Sequence, residues 1–180
     1  MSGGASLGEV VYSVDIEVPV QAAWDELTKL GKVQVPMMNT VLECDLEPGS
    51  PMRYYNPSRK RILVVGTLME IDPPHRMVHT YRFTDLDESE TLVTWQLDEI
   101  PTGVRVTVTH GRFTDQTGTH KRVDGGWAFI LKTLKAVLET GKPPLMARLA
   151  YGAMSALSFL QPKKTLAENV LKYEERPPGA

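Results

Sequence analysis

The sequence predicts an α+β fold, a curved antiparallel sheet of about seven strands wrapped on one long C-terminal helix, followed by a helical tail. Three observations carry this. Between residues 10 and 110, apolar and polar side chains alternate in short runs, the period of half-buried strands. The links between those runs are too short for crossover helices, so the strands form antiparallel hairpins. Residues 125–141 hold a long apolar stripe at helical spacing, and a sheet with one apolar face needs such a cover.

The first run, "VVYSVDIEV" at residues 10–18, puts Tyr12, Val14, Ile16 and Val18 on one face and Ser13, Asp15 and Glu17 on the other. Pro19 ends it. In "VQAAWDELTKLG", Val20, Ala23, Trp24 and Leu27 share a helical face, and Gly31 offers a C-cap. The stretch from there to Pro36 fits no pattern. Residues 38–46 read as a strand with Met38, Thr40, Leu42, Cys44 and Leu46 on one side. After the turn "EPGSP" come the short strand "MRYY", the turn "NPSRK" and the long strand "RILVVGTLMEI", where Gly66 marks a bulge or bend. "DPPH" turns into "RMVHTYRF". The loop "TDLDESE" leads to "TLVTWQL", with Val93, Trp95 and Leu97 on one face. "PTG" then turns into "VRVTVTH", where Val104, Val106, Val108 and His110 oppose Arg105, Thr107 and Thr109.

A polar loop, residues 111–120, precedes the long helix. Its stripe is Val123, Trp127, Ile130, Leu131, Leu134, Val137 and Leu138, and Gly141 with "KPP" stops it. Gly125 and Gly126 open this helix, and each costs about 1 kcal/mol against alanine in a helix interior. They therefore predict a close backbone approach to the sheet or space left for a ligand beside Trp127.

The bulk numbers fit this plan. The chain has 180 residues, 42% hydrophobic and 23% charged, enough for one globular core and an appendage. A net charge of −2 gives no general attraction to nucleic acid or to an acidic membrane. Cys44 is the single cysteine, so no intrachain disulfide forms, and "MSGGASLGEV" lacks the basic and apolar regions of a signal peptide. Both point to a cytoplasmic protein. The apolar stretch "LMARLAYGAMSALSFL", residues 145–160, is shorter than the roughly 20 residues of a spanning helix and contains Arg148, so no membrane span is expected. The chain divides into a flexible N-terminus (residues 1–9), a sheet-and-helix domain (10–141) and a helical C-terminal extension (142–180). In that extension Gly152 and Ala156 form a small-xxx-small pair. Pro162 breaks the helix, and Thr165 with Glu168 reads as a capping box for a last helix bearing Leu166 and Val170. Intramolecular packing is the first expectation for it and homodimerisation the second.

The stretches "VDIEVPVQAAWDELT", "VVGTLMEIDPPHRMVHTYRF", "VTWQL", "GVRVTVTHGRF" and "GGWAFILKTLKAVLETG", in this order over residues 10–141, resemble the START-like (SRPBCC) superfamily. This is the helix-grip fold of polyketide cyclases, lipid-transfer domains and the birch-pollen allergen. Within it the chain is most similar to homologues of the C-terminal domain of the heat-shock-chaperone ATPase activator. The resemblance implies a helix-grip domain with a gap between sheet and helix. It also implies either a small hydrophobic ligand in that gap or a chaperone or other protein partner. It supplies no catalytic motif. After residue 141 the resemblance weakens.

If the apolar faces point at the long helix, the wall of such a gap draws on Met38, Tyr54, His79, Tyr81, Trp95, His110 and Trp127, an aromatic and apolar set with a few polar tips. The bland alternative is that these residues pack the core, and either histidine is most simply a satisfied core group. A cyclase- or hydrolase-like enzyme would use His79, Tyr81 or His110 as acid–base groups in the same pocket. No metal site is expected: His75 and His79 are not on a helix, there is no HExxH or CxxC, and Asp85, Asp87, Glu88 and Glu90 lack calcium-loop spacing. That loop and "SRKR" at residues 58–61 read as solvated turns. No cofactor is implied, since there is no phosphate-binding glycine loop, and no G-x-S-x-G marks a nucleophile.

Overall fold

Alternation becomes strand along nearly the whole predicted sheet. In the computed structural model, which describes residues 8–114 and 118–174, the elements begin with β1 (Val10–Ile16), α1 (Val20–Leu27), β2 (Val33–Gln34) and β3 (Thr40–Glu43). Next come β4 (Pro51–Tyr55), β5 (Ile62–Asp72), β6 (Arg76–Phe83), β7 (Thr91–Ile100) and β8 (Gly103–Gly111). The helices α2 (Gly118–Val123), α3 (Gly126–Thr140), α4 (Leu145–Ala156) and α5 (Ala167–Glu174) complete the chain. Two 3-10 turns, Ser158–Leu160 and Lys163–Thr165, join α4 to α5. Of the N-terminus read as residues 1–9, residues 1–7 lie outside the described residues, as do 175–180 of the tail.

The sheet is antiparallel with strand order β1-β8-β7-β6-β5-β4-β3-β2. It is a meander from β2 to β8, closed by β1, which pairs with β8 from Val10↔His110 to Ile16↔Val104. The eighth strand, beyond the expected seven or so, is β2, two residues paired to β3 in the stretch that had no readable pattern. The inner face buries Ile16, Leu42, Leu68, Met77, Val93, Trp95, Leu97, Val106 and Val108 with Trp127, Leu131 and Leu134 of α3 and Trp24 and Leu27 of α1. A second, smaller core lies on the outer face, where Val41, Tyr55, Ile62 and Val65 are covered by Val170 of α5.

Several local expectations change. The strand read over 38–46 shrinks to Thr40–Glu43 because Met38, Asn39 and Leu46 take positive φ, which breaks extended backbone on both sides. Helix α1 ends at Thr28, whose hydroxyl donates to the Trp24 carbonyl (2.8 Å), not at Gly31. The register of β5 shifts at Leu63, against β4, and between Leu68 and Glu70, against β6, but not at Gly66. Gly66 is needed for a different reason, because a Cβ there would overlap the Thr80 carbonyl oxygen of β6. Helix begins at Gly118, inside the stretch read as a polar loop to residue 120; of that loop, residues 115–117 lie outside the described residues. The long helix opens and closes where expected, as α3 between Gly125 and Gly141, but α2 precedes it, and Gly125 joins the two at φ 83°, ψ −27°, a left-handed conformation open mainly to glycine. Tyr12 latches this joint, its hydroxyl donating to Asp124 (3.1 Å) and accepting from the Gly125 amide (3.2 Å). Finally, Thr165 is not an N-cap; its hydroxyl donates back to the Pro162 carbonyl (2.9 Å).

Candidate functional site

The cavity follows from where α3 touches the sheet and where it does not. Over β1, β7 and β8 the helix packs directly on the inner face, with Trp127 edge-on to Trp95 at 5.4 Å. Toward β3–β6 the sheet curls away and a cavity of about 240 Å³ opens. Its floor comes from Thr40, Tyr54, Val64, Tyr81 and Phe83 of the sheet, and its roof from Val123, Gly126, Trp127 and Ile130. Met37 and Met38, on the turn before β3, close one side. The lining is chiefly apolar and aromatic.

Of the residues the sequence nominates, Met38, Tyr54, Tyr81 and Trp127 line this cavity, whereas His79, Trp95 and His110 do not. The last three are almost fully buried in the core. Strand alternation in the sequence places six of the seven on the inner side and helical spacing turns Trp127 toward them, but only the β3–β6 end of that side is left uncovered by α3. The sequence reading omits Ile130 and Phe83, which stand three residues from Trp127 and two from Tyr81 on the same faces, so periodicity could have found them. It also omits Met154, Gln161, Pro162 and Thr165, which the tail contributes to the wall. No local pattern announces those.

The buried histidines are structural groups in this geometry. The Trp127 indole N–H donates to His110 Nδ1 (3.1 Å), so the imidazole proton sits on Nε2. That N–H donates to Thr91 Oγ1 (2.6 Å), whose own proton goes to the Tyr81 carbonyl (2.8 Å). Burial, with some repulsion from His79 and His120, pushes His110 down to about 3. Burial likewise lowers His79 to about 4, against the opposing bond from its Nδ1–H to the Thr80 carbonyl (2.8 Å). Both rings are neutral at pH 7, and neither borders the cavity where acid–base chemistry would take place.

The rim is fixed by charge. Arg122 of α2 pairs with Asp85 through two bonds of 2.9 and 3.0 Å and lies over the Phe83 ring. In the same β6–β7 loop, Glu88 accepts from the Gly118 amide (2.6 Å) and from the Thr119 amide and hydroxyl (3.0 and 2.6 Å). Burial would raise its carboxyl, but these bonds outweigh burial and hold it below the usual carboxylate range. Asp87 pairs with Lys164 of the tail. The acidic loop expected to be a solvated turn therefore anchors both elements beside the cavity mouth. "SRKR" is a clasp as well: Arg61 donates to the Pro162 carbonyl (2.9 Å) and Thr165 hydroxyl (2.7 Å), and Arg59 pairs with Glu43. Among the described residues no group of three or more His, Cys, Asp or Glu side chains could hold a metal ion. No helix among them is long and apolar enough to cross a membrane.

Comparison with solved structures returns the same architecture. DynU16, a protein in the dynemicin biosynthetic locus, superposes with a TM-score of 0.62 at 21% identity over 75% of this chain and 48% of its own. This chain thus spans about half the length of DynU16. CalU16 from Micromonospora echinospora superposes at 0.58 with 17% identity, over 84% of this chain and 88% of that one. The Aha1 dimer from Colwellia psychrerythraea gives 0.61 at 16% identity, over 76% and 99%. These identities establish the fold alone. No curated protein matches the sequence. The model of one protein family, described as activator of Hsp90 ATPase homolog 1-like protein, matches residues 17–139, more than half of the 180-residue chain. The protein, a START-like helix-grip domain with a C-terminal helical tail, belongs to that family.

Proposed function

We propose that the protein binds a small hydrophobic molecule in the cavity between β3–β6 and α3. The observation that carries this reading is the cavity itself: about 240 Å³ of chiefly apolar space beside Trp127, with Gly126 presenting no side chain to it. That volume sits just below the roughly 300–1,000 Å³ usual for ligand sites, which favours a compact ligand. A well-packed core leaves few voids larger than a water molecule, so an opening of this size calls for an occupant. Neither buried histidine borders it, so a cyclase- or hydrolase-like reaction gains no support from them. Native mass spectrometry of protein purified from cells should show a retained small molecule. Alternatively, a lipid and aromatic library should contain members that raise the melting temperature. A protein that retains nothing and responds to nothing contradicts the reading.

A second reading, a protein-interaction module of the chaperone-activator kind, is favoured by the surface of α4. Leu145, Met146 and Leu149 are 66%, 71% and 59% exposed, and only Ala147 and Tyr151 of this helix are buried. The family description supports an Hsp90-type chaperone as partner; the Colwellia protein is a dimer, and the exposed apolar side chains of α4 make this helix the candidate for a homodimer here. Addition of the protein to Hsp90 should then raise its ATPase rate, and sedimentation should show a dimer that Leu149→Lys dissociates. An unchanged rate together with a monomeric wild type removes this reading.

A further inference from the structure

The cavity holds a second kind of information, in the hydrogen bonds its wall leaves unmade. Most of its polar side chains are occupied. The Thr40 hydroxyl donates to the Met37 carbonyl (2.6 Å) and the Thr165 hydroxyl to that of Pro162 (2.9 Å). Arg122 and Asp85 hold each other. Two groups of the floor are different. Tyr54 on β4 and Tyr81 on β6 both line the cavity, and neither phenol hydrogen-bonds to the protein among the described residues. Nor are these oxygens sealed away: the sealed, unpartnered side-chain atoms are others, His79 Nε2, Trp95 Nε1 and Gln161 Oε1 among them.

The two phenols also belong together. Both rings line the same cavity from strands on either side of β5, and burial raises the titration of each well above the ordinary tyrosine range, so both phenols stay protonated at neutral pH. Tyr81 is held rigidly, its ring edge-on to Phe83 (5.1 Å), His110 (5.0 Å) and Trp127 (6.1 Å). Its backbone carbonyl is tied into the Thr91–His110–Trp127 chain. Two neutral O–H groups in an apolar enclosure, one of them on a firmly held ring, are complementary to a neutral acceptor. A cation would meet no carboxylate except Asp85, which Arg122 neutralises, and an anion would pay for desolvation without a free positive charge.

We propose that Tyr54 and Tyr81 donate together to a carbonyl oxygen of the ligand, so that the site takes compact, neutral, carbonyl-bearing apolar molecules in preference to the parent hydrocarbons. This rests on the binding reading above and adds the ligand's chemical class. The test is a set of matched ketone and hydrocarbon pairs, from indanone and indane to fluorenone and fluorene. Each is titrated into wild type, Tyr54→Phe, Tyr81→Phe and the double variant. These substitutions remove unpartnered hydroxyls and keep the rings that pack. Two hydrogen bonds should make at least one ketone bind about tenfold or more tighter than its hydrocarbon in wild type. The preference should shrink in each single variant and vanish in the double, with hydrocarbon affinity unchanged. The infrared stretch of the bound ketone should lie at lower frequency in wild type than in the double variant. If ketone and hydrocarbon bind alike and the tyrosine variants change neither, the cavity reading stands and this proposal is overturned. If no pair binds at all, both fall.

Discussion

His110 shows how a polar residue is retained in an apolar core without chemistry. Every polar atom of its ring is used, by Trp127 on one side and Thr91 on the other, and the chain ends on a backbone carbonyl. Such a satisfied network rigidifies the core. It also makes stability depend on pH with a definite sign. His110 and His79 stay neutral in the folded protein down to about 3 and about 4, whereas an unfolded histidine protonates near 6.5. As pH falls below about 6.5 the unfolded chain takes up protons that the folded one refuses, so stability drops. Each histidine should cost about 2 kcal/mol between pH 7 and pH 5. Urea unfolding at the two pH values measures this, and His79→Gln should roughly halve the fall. A flat profile would mean that the rings are charged or solvated in the native state.

The joint between α2 and α3 is the element on which the sequence reading was most incomplete. Residues 111–120 read as a polar loop and the long helix opens at Gly125, so α2 goes unread, although Val123 already falls in phase with Trp127 at helical spacing. A single left-handed residue interrupts the backbone without disturbing that phase, and nothing in a hydrophobic pattern reports φ. Met38, Asn39 and Leu46 shortened β3 for the same reason. Where φ stays ordinary, as along β7 and β8, alternation named the inward residues correctly, from Val93 and Trp95 to Val106 and His110. The two glycines of the joint now have separate explanations and opposite predictions. Gly125 has the positive φ, so Gly125→Ala should destabilise by about 1–2 kcal/mol. Gly126 is at the start of α3, and a Cβ there would meet nothing within 4 Å, so Gly126→Ala should be neutral or stabilise by up to about 1 kcal/mol. Thermal or urea unfolding of the pair decides it; equal effects would refute the assignment. At β5 the reason for glycine is close approach: Gly66→Ala should cost about 2 kcal/mol or more, because the Thr80 carbonyl must move.

At the scale of the molecule, the tail wraps the edge of the domain. It lines the cavity mouth with Met154, Gln161 and Thr165, pairs Leu166 with Arg61 at the start of β5, and lays Val170 on the outer face of the sheet. The antiparallel sheet and covering helix were legible because their periodicities are local. The cavity wall was only half legible, since it joins residue 38 to residue 165 and no pattern in sequence registers contacts across that span. Arg61 and Lys164 are the clasp, so Arg61→Ala should raise amide hydrogen exchange across residues 162–174 while leaving β7 and β8 protected. If the space beside Trp127 receives a ligand, Gly126 gives the most direct handle on it. Saturable binding of an apolar ligand from the library should be measured by titration calorimetry for wild type and Gly126→Leu, with melting temperature as control. Wild type should bind one to one and Gly126→Leu should not, with a melting temperature equal to wild type or higher. Undiminished binding by a folded Gly126→Leu would contradict binding in that space.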